Sequence, residues 1–402
     1  MIRPFELSGE TRLALVLLTA ALLVSIGRHS GLMPHIVDDL DLSASAMGFA
    51  VFAGRLGGFA VIGVALVVDR FGPYPIMPLG ALVTATGLLV LSFAGGYGSL
   101  VTTSAVIGLG TAAVSATILF AIAAKGCYRL RGTVIGSLAF LIKLDPVSLA
   151  AGPAADAFGW RWVAVVFAAL SLAAALVLLT FLPRVFPVRQ RAASFLRWRP
   201  VADHEDDLTW HELRRTPGFW KVVGAVILVF ALGNAVSTTA FVSTLSLLYD
   251  QSRLGVGMMS LLLFAWTLGA LFWGIASDFV PVRRLISSAS IVVVLSIPLL
   301  WLPDGPLLDL LGILILGLGL GATLSLPWVL LADHVGVRFF AIVGIGVSFV
   351  GGLAGGLAGS LLSGLTVELW GAAGAGGLLA AFALVLAAAS FRAPQLRFGG
   401  AS

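Results

Sequence analysis

Four ionisable side chains interrupt otherwise apolar runs: Arg28, Arg55, Lys143 and Asp145. A charge at the centre of a membrane-spanning helix costs about 2.5–3.5 kcal/mol on insertion scales. Against lipid the four together would cost roughly 10–14 kcal/mol, comparable to the stability of a whole domain. They must face water or one another, which makes them candidates for a substrate site. Three cations against one carboxylate leave a positive surplus that favours a small anion, and arginine offers the fork a carboxylate needs. Arg28, Arg55 and Lys143 are therefore candidate substrate-binding groups. Asp145 is expected to pair with Arg28 or Lys143. It is also a candidate proton carrier, because a carboxyl in a low-dielectric site favours its neutral form unless paired. His29 is a second candidate for proton coupling. The competing readings are an internal ion-pair network that only ties helices together and, for Arg28, snorkelling to the outer interface.

The elements that must position these groups follow from composition. Of 402 residues, 59% are hydrophobic and 11% charged, against roughly 45–50% and about 25% in soluble domains. Too few charged side chains remain to coat a water-facing surface. Twelve apolar segments lie at 13–33, 44–68, 75–94, 99–124, 132–153, 162–182, 219–247, 256–276, 285–302, 308–332, 339–364 and 370–391. They do not alternate and each approaches the ~20 residues that cross a bilayer as a helix. The expected fold class is thus an all-α membrane protein with twelve transmembrane helices. At about 1.5 Å per residue, Arg28 lies about 24 Å beyond Arg12, Arg55 about 21 Å before Asp69, and Lys143 and Asp145 about 18 and 21 Å beyond Arg131. The four charges are expected in one layer. The second half offers no clear embedded charge, only Asn234, Ser237, Thr238 and Thr239 with Trp266 and Trp328. Asn234 is a candidate substrate contact, with a helix–helix hydrogen bond as the alternative.

A shift of 209 residues aligns Asp69 with Asp278, Gly108-Leu109-Gly110 with Gly317-Leu318-Gly319, and Arg129 with Arg338. Two pseudo-symmetric six-helix bundles are expected, at 1–182 and 217–402, joined by a central connector at 183–216. Such repeats build alternating access around a midplane site. Arg161 and Arg253 fall on one side of the membrane and three cations lie within spans; the other nineteen of the 24 lysines and arginines share the side of the termini and connector. By the positive-inside rule that side is cytoplasmic, in a cell inner membrane. The first span is expected to be an uncleaved helix. Cys127, alone of its kind, has no partner for an intramolecular disulfide. His204-Glu205 and His211-Glu212 lack metal-site spacing, and no phosphate-cradling loop is present. No metal, cofactor, nucleic acid or enzymatic reaction is expected, so transport would draw on an ion gradient or exchange.

The loop Ala65-Leu66-Val67-Val68-Asp69-Arg70-Phe71-Gly72-Pro73-Tyr74 resembles the Gly-x-x-x-Asp-Arg-x-Gly-Arg-Arg signature of the major facilitator superfamily in Asp69, Arg70 and Gly72. The second copy, from Gly274 through Asp278 to Arg283-Arg284, keeps the glycine, the aspartate and the basic pair. With twelve segments and the repeat, the resemblance covers essentially the whole chain. It implies cytoplasmic gating roles for Asp69, Arg70, Gly72, Asp278, Arg283 and Arg284, with Arg129 and Arg338 as ion-pair partners. The carboxylates could equally take the positive end of a neighbouring helix. The rival reading is that the arginines merely set topology. Tyr128-Arg129-Leu130-Arg131-Gly132, with Gly136, and Thr216-Pro217-Gly218-Phe219-Trp220 resemble monocarboxylate and oxalate–formate type transporters. The first-span signature of monocarboxylate carriers is absent, the region reading Ile26-Gly27-Arg28-His29-Ser30-Gly31. Ser104 replaces the arginine that many drug–proton antiporters carry.

The expected function is secondary active transport of a small organic anion, a monocarboxylate, by alternating access with proton coupling or exchange. The partners are that solute, protons and the bilayer, and the protein is expected as a monomer. The alternatives are an efflux antiporter for amphipathic compounds and a non-transporting sensor or assembly factor on the same fold.

Overall fold

A computed structural model of the chain describes residues 9–28, 32–42, 50, 53–54, 59–74, 76–127, 130–185, 215, 217–250, 255–301, 306–335 and 340–392. Among these residues the regular structure is helical throughout. In order the helices are α1 Gly9–Arg28, α2 Met33–Asp39, α3 Val61–Phe71, α4 Met77–Leu91, α5 Tyr97–Ala112, α6 Ala116–Gly126, α7 Arg131–Leu144, α8 Pro146–Phe158, α9 Trp160–Val185, α10 Pro217–Asp250, α11 Gly255–Ala276, α12 Val282–Trp301, α13 Pro306–Val335 and α14 Phe340–Arg392. Prolines open α8, α10 and α13, where a missing N–H costs nothing and the fixed φ suits the first turn.

Among the described residues, six stretches are long and apolar enough to cross a membrane: Tyr97–Ala124, Trp160–Pro183, Phe219–Ser237, Val282–Leu300, Leu307–Asp333 and Phe340–Gly371. Shorter apolar helices run Arg12–Gly27, Met77–Leu91, Ser260–Ala276 and Gly376–Ala389. The fourth and fifth apolar segments are each split, α5 from α6 and α7 from α8. The last two share one helix, α14, broken at Gly371 (φ 66°), a conformation glycine adopts without steric cost. Residues 44–49, 51–52 and 55–58 of the second segment lie outside the described residues.

The chain divides into two compact units. The first comprises Met1–Gly126 and Asp145–Glu205. Its helix α9 packs on α4 and α1, and α4 on α5. Leu88, Leu91, Leu100, Ile107, Ala164 and Phe167 belong to one buried apolar cluster. Phe93, Phe158 and Trp162, 79%, 73% and 68% exposed, stand at the connections following α4 and α8, where aromatic rings suit a membrane–water interface.

The second unit comprises Cys127–Leu144 and Asp206–Ser402, so α7 belongs by contact with α10–α14. Here α10 packs on α14, α13 on α11 and α12, and α7 on α11 and α13.

The 209-residue repeat has a packing counterpart inside each unit. A Cβ on Gly110 would strike Thr84 and Gly80; one on Gly319 would strike Val293 and Ala289. Those neighbours are themselves 209 residues apart. Corresponding small residues thus make corresponding helix approaches, which in lipid are driven by close backbone packing.

Candidate functional site

In the second unit, α7 and α11 run antiparallel and carry two polar constellations, one at each end of their contact. At one end α11 runs out at Ala276 and Asp278 follows in a turn. The Asp278 carboxylate accepts hydrogen bonds from the backbone N–H of Gly132 (2.7 Å) and of Thr133 (2.9 Å), and from Thr133 Oγ1 (2.6 Å). The first N–H groups of a helix have no partner inside it and carry the positive end of its dipole. A carboxylate from a different helix therefore caps α7. Beside it, Arg131 Nη1 reaches Asp333 Oδ1 of α13 at 3.1 Å.

This approach requires bare backbone. A Cβ on Gly132 would lie 1.9 Å from Ser277 Oγ and 2.4 Å from the Gly274 carbonyl; on Gly136, 2.8 Å from both Gly274 Cα and the Ala270 carbonyl. Gly132 and Gly136 are one turn apart on α7, as are Ala270 and Gly274 on α11, so the two small faces interlock.

At the other end of the pair, Lys143 Nζ stands 5.0 Å from the centroid of the Trp266 ring. Lys143 is twelve residues from Arg131 and Trp266 twelve from Asp278, about 18 Å along each rod. Cation and indole thus share one level along the helix pair. An ammonium over an aromatic face is attracted by the ring quadrupole, more strongly where water is excluded.

Asp145 belongs to the first unit. It interrupts the helical run with φ 48°, and Pro146 opens α8. A residue before proline is driven out of the right-handed helical region, and proline supplies no N–H to continue the ladder. The Asp145 carboxylate accepts a hydrogen bond from Ser25 Oγ of α1, a side chain almost wholly buried. Pairing of Asp145 was expected with Arg28 or Lys143; Ser25 is a partner the sequence did not single out.

Of the remaining expected residues, Asn234 donates from Nδ2 to the Phe230 carbonyl of its own helix at 2.8 Å. Gly72 caps α3 with φ 80°, its N–H reaching the Val68 carbonyl at 2.9 Å. Arg283 is half-buried and Arg284 exposed at the start of α12. Arg28 closes α1, and Asp69 and Arg70 lie in α3, but their side chains are outside the description. His29, Arg55, Arg129 and Arg338 lie outside the described residues. The sequence reading passed over Thr133, Arg131–Asp333 and the Lys143–Trp266 contact. The glycine spacing Gly132-x-x-x-Gly136 was the available signal for the first of these.

A third cluster sits in the first unit. Asp39 accepts from Arg161 Nη1 at 2.7 Å and from Trp160 Nε1 at 3.2 Å, while Arg161 also donates to the Ala94 carbonyl at 3.3 Å. It fastens α2 and the end of α4 to the start of α9.

Long apolar helices with small-residue crossings, and an aspartate repeated in sequence at a spacing of 209 residues, define a polytopic membrane protein. The family model described as Major Facilitator Superfamily matches residues 13–343, and the chain belongs to that superfamily, a class of transporters and not of enzymes. The crystal structure of the human organic anion transporter MFSD10 (TETRAN) is similar at a TM-score of 0.68 and 16% sequence identity, covering 96% of this chain and 100% of that one. That likeness is one of fold. No curated protein sequence matches the chain.

Proposed function

We propose that the protein is a secondary active transporter that moves a small organic anion, a monocarboxylate, by alternating access. The observation that carries this reading is Lys143, an ammonium held 5.0 Å from the Trp266 ring centroid, about 18 Å along α7 from Arg131. A cation kept this far into helices that otherwise present apolar side chains is costly to retain without a use. Arg28 and Arg55, on two other apolar segments, add positive charge, and Asn234 a neutral polar contact. Asp145 and His29 are the proton-coupling candidates, exchange being the other source of drive. The fold neighbour named for organic anion transport agrees with an anionic cargo. So does the resemblance of the Arg131-Gly132 region and of Pro217-Gly218-Phe219-Trp220 to monocarboxylate and oxalate–formate carriers.

The Asp278 cap of α7 serves in this reading as a latch that biases one of two global states. Asp69, Arg70 and Gly72 are its repeat partner in this reading, and Arg129, Arg283, Arg284 and Arg338 the gating residues that go with them. The termini and connector are cytoplasmic, the two six-helix bundles span 1–182 and 217–402, and the monomer is the working unit in a cell inner membrane.

The test is uptake of radiolabelled lactate, formate and oxalate into proteoliposomes under an imposed pH gradient. Saturable uptake that Lys143→Gln or Arg55→Ala abolishes, with normal insertion, supports the proposal. Outward movement of hydrophobic cations, or no flux of any solute, overturns it in favour of efflux or of a sensor.

A further inference from the structure

We propose that the break at Asp145-Pro146 is the pivot of a swinging arm: α7 turns about it when the Asp278 contact opens, while α8 keeps its own packing. The inference rests on the latch reading of Asp278 and adds where the latched helix turns and what the turn leaves in place.

The fifth apolar segment changes neighbours in mid-span. Helix α7 packs on α11 and α13 and belongs to the second unit, whereas α8 packs on α9 and α1 in the first. The chain passes from one unit to the other at the peptide between Leu144 and Asp145. Asp145 has a φ of 48°, in the left-handed region that aspartate tolerates better than most residues. Pro146 has no N–H to return to the Ile142 carbonyl, and its ring disfavours a helical residue before it. The ladder is therefore already interrupted at this point, so a change of angle here breaks no rung. Proline alone does not make such a point: Pro153, Pro183, Pro298 and Pro327 lie inside continuous helices. Gly371 interrupts α14, but both halves of that helix belong to the second unit.

Both ends of the arm are defined. At its start, Cys127 and Leu130 lie in the connection from α6, and the Asp278 carboxylate holds the N–H groups of Gly132 and Thr133. At the pivot, the buried Ser25 of α1 donates from Oγ to the Asp145 carboxylate. That bond ties the turning point to α1. The two ends of the lever then have unequal throws. Gly132 is thirteen residues from Asp145 and Lys143 two, about 20 Å and about 3 Å along the helix. A swing of about 15° moves the first by about 5 Å and the second by less than about 1 Å. The latch end opens while Lys143 keeps its place beside the Trp266 ring. Gating is thereby separated from the candidate substrate cation.

The test measures the angle between α7 and α8 in the full chain in proteoliposomes. Spin labels on Leu130→Cys and Phe158→Cys, both exposed positions, in a Cys127→Ser background report the distance between the far ends of the two helices by double electron–electron resonance. Asp278→Ala opens the latch, and maleimide labelling of Cys127 in the same variant without spin labels verifies the opening. The expected result is a shift or broadening of the distance distribution by about 5 Å in Asp278→Ala. Asp145→Ala with Pro146→Ala joins the two helices, and in that background Asp278→Ala should leave the distribution narrow and unmoved; the first measurement stands without it. Ser25→Ala should broaden the distribution with the latch intact, and an unaltered distribution overturns the anchoring role of that bond. Raised Cys127 labelling with an unmoved distance means that α7 and α8 swing as one rod, which overturns the pivot and leaves the latch. An equal shift in the joined helices overturns the pivot as well. Unchanged labelling together with an unchanged distance overturns latch and pivot alike.

Discussion

Replacing Asp278 with alanine removes the cap of α7 at a stroke, and the size of the effect follows from its three hydrogen bonds. Two run from backbone N–H groups at 2.7 and 2.9 Å and one from Thr133 Oγ1 at 2.6 Å. Hydrogen bonds to a charged group contribute about 1.5–3 kcal/mol each when removal leaves a partner unsatisfied. The freed N–H groups at a helix end regain water once the helices part, so the net loss resembles that of a strong cap plus its dipole term, about 2–3 kcal/mol. At about 1.4 kcal/mol per decade this raises the population with α7 released roughly 30- to 150-fold. Cys127, the one thiol of the chain, is half-buried and five residues from Gly132, so its maleimide-labelling rate reads that population directly. Thr133→Val removes only the hydroxyl bond and should raise labelling about fivefold, for a loss near 1 kcal/mol. In the double variant Thr133→Val should add little to Asp278→Ala, because the two residues share one interaction. Labelling of Asp278→Ala within twofold of wild type would refute the latch.

The other expectations concern packing, coupling and the surface cluster. Gly136→Val places a Cβ 2.8 Å from Gly274 Cα and the Ala270 carbonyl; overpacking of this kind costs about 1–3 kcal/mol, and a lowered Tm with reduced uptake checks it. Asp145→Asn removes the proton-carrying carboxyl while keeping an acceptor for Ser25, so gradient-driven accumulation should fail while lactate–lactate exchange persists. Equal loss of both would assign Asp145 to structure. Arg161→Ala breaks an ion pair whose partners are 46% and 42% exposed; solvent screening limits the loss to below about 1 kcal/mol, and uptake should be unchanged.

Much of the scaffold is legible in residue order because helical spans announce themselves by length and apolarity. The split of the fifth segment was signalled by Asp145-Pro146, since proline cannot continue a helix ladder. The identity of partners was far less legible. Either an arginine or the positive end of a neighbouring helix was open as the counterpart of the repeated aspartates, and which of the two, and at which residues, was not readable: Asp278 takes the backbone N–H groups of Gly132 and Thr133. A peptide N–H has no residue type to read, and only the glycines that permit the approach leave a trace. Trp266 likewise looks like any aromatic residue of an apolar helix until its ring is found beside the Lys143 ammonium. Ser25 was hidden for the same reason, as one small polar side chain in a long run.

The repeat itself is unequal where it matters most. Shifted by 209 residues, Gly132 meets Ala341, Gly136 meets Ile345, and Gly274 meets Ala65. Thr133, whose hydroxyl bonds Asp278, meets Ile342; Arg131 and Asp333 meet Phe340 and Ala124. Of the residues that make this contact, only the aspartate is kept, as Asp69 and Asp278. The glycine crossing, the hydroxyl and the flanking ion pair of α7 and α11 therefore have no sequence counterpart in the other copy. A Cβ on either Gly136 or Gly274 would come within 3 Å of opposing backbone, and the alanine and isoleucine at the related positions carry such a Cβ. If both aspartate turns serve as latches, as proposed, the two would therefore differ in strength. Asp278→Ala should change Cys127 labelling and the direction-dependent rates of transport far more than Asp69→Ala does. Equal effects of the two substitutions would show that the aspartate alone, and not the bare backbone around it, sets the energy of the closed contact.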